Sequence, residues 1–229
     1  FGSVKTLIFV STDKACKPVN VYGMSKAIAE QLYVNFAKQQ SSIKVVMARY
    51  GNVLNSTGSI IPLFKNKIQG GIESLPITDF NMTRFLLTLD QAIDLIEWAY
   101  NHPNSHGKIA IPKIESLNIV DLAKAIAKAC GKKDMKFHKI PIRDGEKLHE
   151  DMLAETELPF TYEVEDHNFL QLFSEESPCG INLLQIRPQY TKKTYQAFPK
   201  YDGPHFNSEL WVKEDVEELS RLIESGLKC

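Results

Sequence analysis

Val4–Ser11 reads VKTLIFVS and Ile43–Arg49 reads IKVVMAR, and the fold turns on these two runs and what joins them. Each is short, almost continuously apolar and rich in β-branched residues, the pattern of a strand buried on both faces of a parallel sheet. Residues 12–21 hold Asp, Lys, Pro and Asn and read as a loop. A helix follows over about Tyr22–Gln40, with Ala27, Ile28, Leu32 and Phe36 as its apolar stripe. Strand, helix and strand of these lengths make a βαβ unit, which predicts a parallel sheet with a right-handed crossover.

Beyond Gly51 the pattern continues as α/β. Ile60–Gln69 is predicted helical, with Pro62 tolerated in the first turn and Gly70-Gly71 ending it. Leu75–Thr78, Arg84–Leu89, Lys108–Ile111 and Lys136–Ile140 read as short strands. Asp90–Asn101, with Thr88 as a cap, and Ile119–Cys130, closed by Gly131, read as amphipathic helices. Tyr162–Leu172 is predicted extended, 173–208 loop-rich, and Val212–Leu227 a final amphipathic helix. There is no internal repeat and no evident linker, so one compact unit is expected.

Composition excludes several functions. With 27 basic and 28 acidic residues in 229, the chain has no electrostatic case for nucleic acid or an anionic membrane surface. Cys16, Cys130, Cys179 and Cys229 are scattered, which argues for reduced thiols in a cytoplasmic protein and against a zinc ribbon. His102 and His106 flank a Pro-Asn turn and read as solvated loop residues, so no metal site is expected. No apolar run reaches the ~20 residues needed to span a bilayer, and no signal peptide is visible at Phe1-Gly2-Ser3.

The chemistry concentrates in Tyr22-Gly23-Met24-Ser25-Lys26. On a helix Tyr22 and Lys26 share a face one turn apart. A nearby ammonium favours the phenolate, and such a tyrosine can take a proton from a sugar hydroxyl while hydride leaves the same carbon. The motif opens the helix after a strand ending in Ser11-Thr12-Asp13-Lys14. Ligands of open α/β sheets bind outside the carboxyl ends of strands, where both segments converge.

Ser11-Thr12-Asp13-Lys14-Ala15, Pro18 and Tyr22-Gly23-x-Ser25-Lys26 together resemble the extended short-chain dehydrogenase/reductases. More narrowly they resemble the configuration-inverting UDP-N-acetylglucosamine 4,6-dehydratases and related capsule enzymes. Arg49-Tyr50-Gly51-Asn52-Val53, Gly58 to Phe64, Ile77-Thr78-Asp79, Met82-Thr83-Arg84-Phe85 and Gly145 to Glu150 follow in the same order. The likeness is close over residues 1–153, loose over 154–205, and returns at Phe206-Asn207-Ser208 and Trp211.

The resemblance implies an α/β fold: a partial Rossmann-like parallel sheet with helices, plus a smaller α/β substrate-binding C-terminal region. Residues 1–54 would be the remnant of an NAD(P)-binding domain, and 55–229 the nucleotide-sugar region with its extension. It further implies dehydration of UDP-N-acetylglucosamine with bound NADP or NAD, in a cytoplasmic homo-oligomer. Tyr22 and Lys26 would deprotonate the C4 hydroxyl and touch the cofactor. Lys14, in its neutral form, would be the base at C5, Asp13 the acid at the C6 hydroxyl, and Thr12 a donor to the C4 oxygen. Tyr50 and Gly51 would border the nicotinamide. Asn52, Arg84 and Glu146 would hold the nucleotide sugar, with His149 and Glu150 given no role.

The Gly-rich turn that holds a dinucleotide pyrophosphate does not occur in this sequence. A missing N-terminal half, an apolar sheet edge and an inactive isolated chain are therefore expected. Two rivals remain: a 4-epimerase or 5-epimerase of the same fold, and a non-catalytic interaction module. An epimerase needs the Tyr–Lys pair but not Asp13 and Lys14, so that pair favours dehydration.

Overall fold

The computed structural model describes residues 3–165, 168–171, 206–209, 221 and 223. The predicted helix over 212–227 and Trp211 lie outside these, apart from the helical positions Arg221 and Ile223. The chain forms two compact units. The first comprises Phe1–Tyr50, Asp90–Lys113 and Met152–His205, the second Gly51–Leu89, Ile114–Asp151 and Phe206–Cys229. The sequence leads one to expect a single compact unit, whereas the chain crosses between two, first at residues 50–51. The chain returns to the first unit at Asp90 because a strand distant in sequence pairs with the βαβ core.

In the first unit β1 (Thr6–Thr12), α1 (Val21–Gln39) and β2 (Lys44–Tyr50) form the expected βαβ. Strands β1 and β2 run parallel, with Thr6 opposite Lys44 and Thr12 opposite Tyr50. The second unit contributes the next elements in chain order. These are β3 (Asn52–Val53), α2 (Ile60–Gln69), β4 (Ser74–Ile77) and β5 (Thr83–Leu87). Helix α3 (Leu89–Asn101) then leads to β6 (Lys108–Pro112), which joins β2 in parallel within the first unit.

The second unit continues with β7 (Ser116–Asn118), α4 (Ile119–Ala129) and β8 (Lys136–Lys139). Strand β9 (Asp151–Leu153) carries the chain back, and β10 (Thr161–Glu165) and β11 (Asn168–Gln171) extend the first sheet. Its order is β1-β2-β6-β11-β10, and β11 pairs antiparallel with β6 and β10. The last described strand is β12 (Phe206–Asn207).

Strand β2 sits inside the sheet, and Val45, Val46, Met47 and Ala48 lose all solvent contact. Leu95 and Ala99 of α3 pack on Val46, Ala48 and Ala110. The expected stripe of α1 is corrected: Ile28 and Leu32 are 61% and 63% exposed, while Gly23, Glu30, Val34 and Ala37 are buried. Burying Glu30 answers the charge of Arg49 at the end of β2, which outweighs the apolar count of the other face. The expected apolar edge is present, since β1 ends the sheet and its Ile8 and Val10 are 40% and 37% exposed. His106, expected to be solvated, instead accepts from Val45 N at 3.1 Å and lies 3.1 Å from the Ala37 carbonyl.

The core of the second unit packs α2 on α4 and the strand pair β4–β8. Phe64, Ile68, Leu75, Ile77, Leu122 and Ile126 are all at most 3% exposed. Strands β3, β5 and β7 form its other sheet.

Candidate functional site

Thr12 ends β1 and begins a single 3₁₀ turn, Asp13–Ala15. Its hydroxyl accepts from Lys14 N at 3.4 Å and donates to Asp13 Oδ1 at 2.9 Å. The ammonium of Lys14 donates to the same oxygen at 3.1 Å. Asp13 is fully buried, and its Oδ2 has no hydrogen-bond partner among the described residues. An unsatisfied buried acceptor costs roughly 1–3 kcal/mol.

Asn20 caps α1 by accepting from Gly23 N at 2.8 Å. The first turn of the helix lies directly against the loop. A Cβ on Gly23 would come within 2.3 Å of the Lys14 carbonyl oxygen. That is why a glycine stands inside the Tyr–Lys motif. Lys26 Nζ donates to the Val10 carbonyl at 3.0 Å and lies 5.0 Å above the Phe9 ring and 5.9 Å from the Tyr22 ring centre. Tyr22 is 53% exposed, so its phenol is open to a ligand.

Tyr50 stands opposite Thr12 across β1 and β2. Its phenol is held above the usual tyrosine range, first by burial and then by the neighbouring Tyr22. It therefore stays a neutral donor. The first unit thus gathers Thr12, Asp13, Lys14, Tyr22, Lys26 and Tyr50 where β1 and β2 run out.

The remaining candidates belong to the second unit, which holds a cavity of about 440 Å³ lined by Asn52, Lys67, Arg84, Arg143 and Glu146. That is within the usual size of a small-ligand pocket. Asn52 stands on β3. Gly51 has a reason inside its own unit, since a Cβ there would approach Phe85 to 2.5 Å. Arg84 is 7% exposed, and its donors go to the carbonyls of Thr83 at 2.7 Å, Lys147 at 2.8 Å and Leu148 at 3.1 Å. Glu146 is 3.6 Å away. Arg84 thereby fixes the 146–148 turn, and its fork is largely occupied.

Arg143, which sequence reasoning did not single out, is the exposed cation on the same cavity. Its signal lay in its place three residues before Glu146, whose backbone N–H bonds the Arg143 carbonyl at 3.0 Å. His149 also gains a role. It lies 2.7 Å from the Thr83 hydroxyl, which is in turn 2.7 Å from Ser208. This clasp holds the Phe206–Ser208 segment, and Phe206 packs on Phe85 with ring centres 4.9 Å apart. No group of three or more His, Cys, Asp and Glu that could hold a metal occurs among the described residues. No described helix is long and apolar enough to cross a membrane.

Residues 2–171 match the family model described as polysaccharide biosynthesis protein. A UDP-N-acetylglucosamine 4,6-dehydratase (inverting) of Campylobacter jejuni strain 81-176 is 38% identical over 91% of this chain and 62% of its own length. A UDP-glucose 4-epimerase of Rickettsia rickettsii is 40% identical over 72% of this chain and 48% of its own. Among solved structures, Pen from Bacillus thuringiensis superposes with a TM-score of 0.79 at 27% identity, covering 98% of this chain and 62% of that one. The chain therefore spans between about half and somewhat under two thirds of these proteins' length.

Proposed function

The chain belongs to the polysaccharide biosynthesis protein family, and from that premise we propose that it carries the catalytic and sugar-binding residues of a UDP-N-acetylglucosamine 4,6-dehydratase. The observation that carries this reading is the Asp13–Lys14 contact at 3.1 Å, one loop away from Tyr22 and Lys26. An epimerase has no use for a second acid–base pair. The Rickettsia likeness supports the shared fold.

Tyr22, with the Lys26 ammonium beside its ring, takes the proton of the C4 hydroxyl. A nicotinamide dinucleotide, NADP or NAD, would supply the hydride acceptor and later donor at this position. Tyr22, Lys26 and the neutral Tyr50 suit its ribose and nicotinamide end. No glycine-rich turn in this sequence suits its pyrophosphate. The C4 ketone acidifies the C5 proton, which passes to Lys14. The C6 hydroxyl departs as water with a proton from Asp13. Those two roles need a neutral amine and a neutral carboxyl. Moving one proton along the 3.1 Å contact converts the ion pair into that form.

In the second unit, Lys67 and Arg143 suit the sugar diphosphate, while Asn52 and Glu146 suit hydroxyl and amide groups. Arg84 acts mainly by holding the turn that presents Glu146. The same reading puts the protein in the cytoplasm, with a second copy as its partner.

Two measurements test the proposal. Calorimetry with UDP-N-acetylglucosamine should detect binding, and none at millimolar ligand would refute it. With a glycine-rich dinucleotide-binding segment supplied upstream of this chain, and NADP in deuterated water, the product should be a 4-keto-6-deoxy sugar labelled at C5. Lys14→Ala should abolish that product while C4 oxidation persists, and unchanged dehydration would remove Lys14 from the base role.

A further inference from the structure

Arg49 is the penultimate residue of β2 and is 1% exposed. A guanidinium there has to be neutralised and given acceptors for five N–H donors. All five are used. Nε donates to Glu30 Oε1 at 3.0 Å, and Nη2 donates to Glu30 Oε2 at 2.7 Å and to Glu157 Oε1 at 2.9 Å. Nη1 donates to Glu157 Oε2 and to the Met152 carbonyl, both at 2.9 Å. Burial alone works against the charge, but Glu157 and Glu30 outweigh it and hold Arg49 protonated.

The two carboxylates also reach the loop bearing Asp13 and Lys14, at both of its ends. Ser11 Oγ donates to Glu30 Oε1 at 2.6 Å. Cys16 Sγ donates to Glu157 Oε2 at 3.5 Å. Residues 12–15 are thus bracketed by two contacts that return to one guanidinium. Next to the bracket, Lys17 pairs with Glu155 at 2.7 Å. Glu157 stands 141 residues beyond Cys16, in the stretch where family resemblance is loose. A packed apolar cluster would hold the fold as well as a buried ionic one. What the ionic cluster adds is a defined distance between the loop ends.

We propose that Glu157 is a positioning residue: through Arg49 and Cys16 it fixes where Asp13 and Lys14 stand. This rests on the preceding section only in taking their loop as the catalytic one. Its 154–160 segment acts as a strap on that loop.

The test uses the full chain, with Glu157→Gln and Glu157→Asp variants. Under native conditions iodoacetamide should label Cys16 at least about tenfold faster in Glu157→Gln, the scale of a lost hydrogen bond to a charged group. Labelling of Cys130 should not change, and Glu157→Asp should restore part of the protection. Equal Cys16 rates in variant and wild type overturn the proposal. So does a parallel rise at Cys130, which signals general loosening.

If Glu157→Gln does not fold, amide exchange on the unmodified protein decides. Cys16 N and Ala154 N, the latter bonded to Glu157 at 3.0 Å, should share one protection factor. Much faster exchange at Cys16 overturns the strap. In the dehydration assay Glu157→Gln should slow elimination more than C4 oxidation, so that reduced nicotinamide accumulates; equal slowing of both overturns positioning. A thiol effect of Glu157→Gln, together with no turnover by the unsubstituted chain once the dinucleotide-binding segment is supplied, supports the strap and counts against the dehydratase reading.

Discussion

Replacing Gly23 by alanine tests the contact on which the site's geometry depends. Alanine is the better helix former by about 1 kcal/mol, so propensity alone predicts stabilisation. The structure predicts the opposite. The added Cβ would stand 2.3 Å from the Lys14 carbonyl oxygen and 3.2 Å from Pro18 Cβ. A tolerable separation is about 3 Å, so helix or loop has to retreat by roughly 0.7 Å. The offending atom is backbone and sits within the short turn Asp13–Ala15, so no side-chain rotation relieves it. Overpacking of this kind costs about 1–3 kcal/mol, leaving a net loss of about 0–2 kcal/mol. For a chain of this size each kcal/mol is about 2–4 °C in Tm.

Function should suffer more than stability. The displaced segment carries Lys14, and a misplacement near 1 Å can cost about a hundredfold in rate. Thermal unfolding and turnover, measured on the same preparation, separate the two effects. A variant that melts above the wild type and turns over normally would refute the argument, because it would mean that α1 and the loop are not in contact.

Three further outcomes follow from the geometry. Arg143→Ala should weaken UDP binding about tenfold to a hundredfold by calorimetry with little change in Tm, whereas Arg84→Ala should chiefly lower Tm by stranding the carbonyls it serves. Burial holds Lys108 down to about 8, and its folded form resists the proton that the unfolded chain accepts. The resulting penalty, on the order of 3 kcal/mol, is complete below pH 8 and is relieved as pH rises toward 10.5. Urea midpoints should therefore climb over that window and stay flatter in Lys108→Met. Phe206→Ala, which empties a fully buried site against Phe85, should cost about 3–5 kcal/mol in denaturant unfolding.

The regular elements were legible because their signals are local. Ile60–Gln69 is a helix with the predicted bounds, and β1, α1 and β2 fall within two residues of expectation. The Tyr–Lys and Asp–Lys pairs were legible for the same reason, being neighbours in sequence. What escaped depends on distant partners. Glu30 and Arg49 are 19 residues apart, and Glu157 is 108 from Arg49, so no periodicity in either segment announces their ion pairs. The resemblance gives Arg84 as a ligand of the nucleotide sugar, and nothing local to Arg84 tells that its donors are already engaged. Only the path of the 146–148 turn shows which acceptors take its donors. The short strands β3 and β7 have too few residues to show alternation at all.

The chain passes between its two units at residues 50–51, 89–90, 113–114, 151–152 and 205–206. Neither unit can therefore be excised with one cut, and a truncation almost anywhere removes pieces of both. Exchanging the single stretch 52–146 would replace the whole cavity lining and spare residues 12–26, but it would also take α3 and β6 out of the first unit. Specificity in such an interleaved architecture has to change by point substitution, or by trading a loop such as 140–150 within one visit to the second unit.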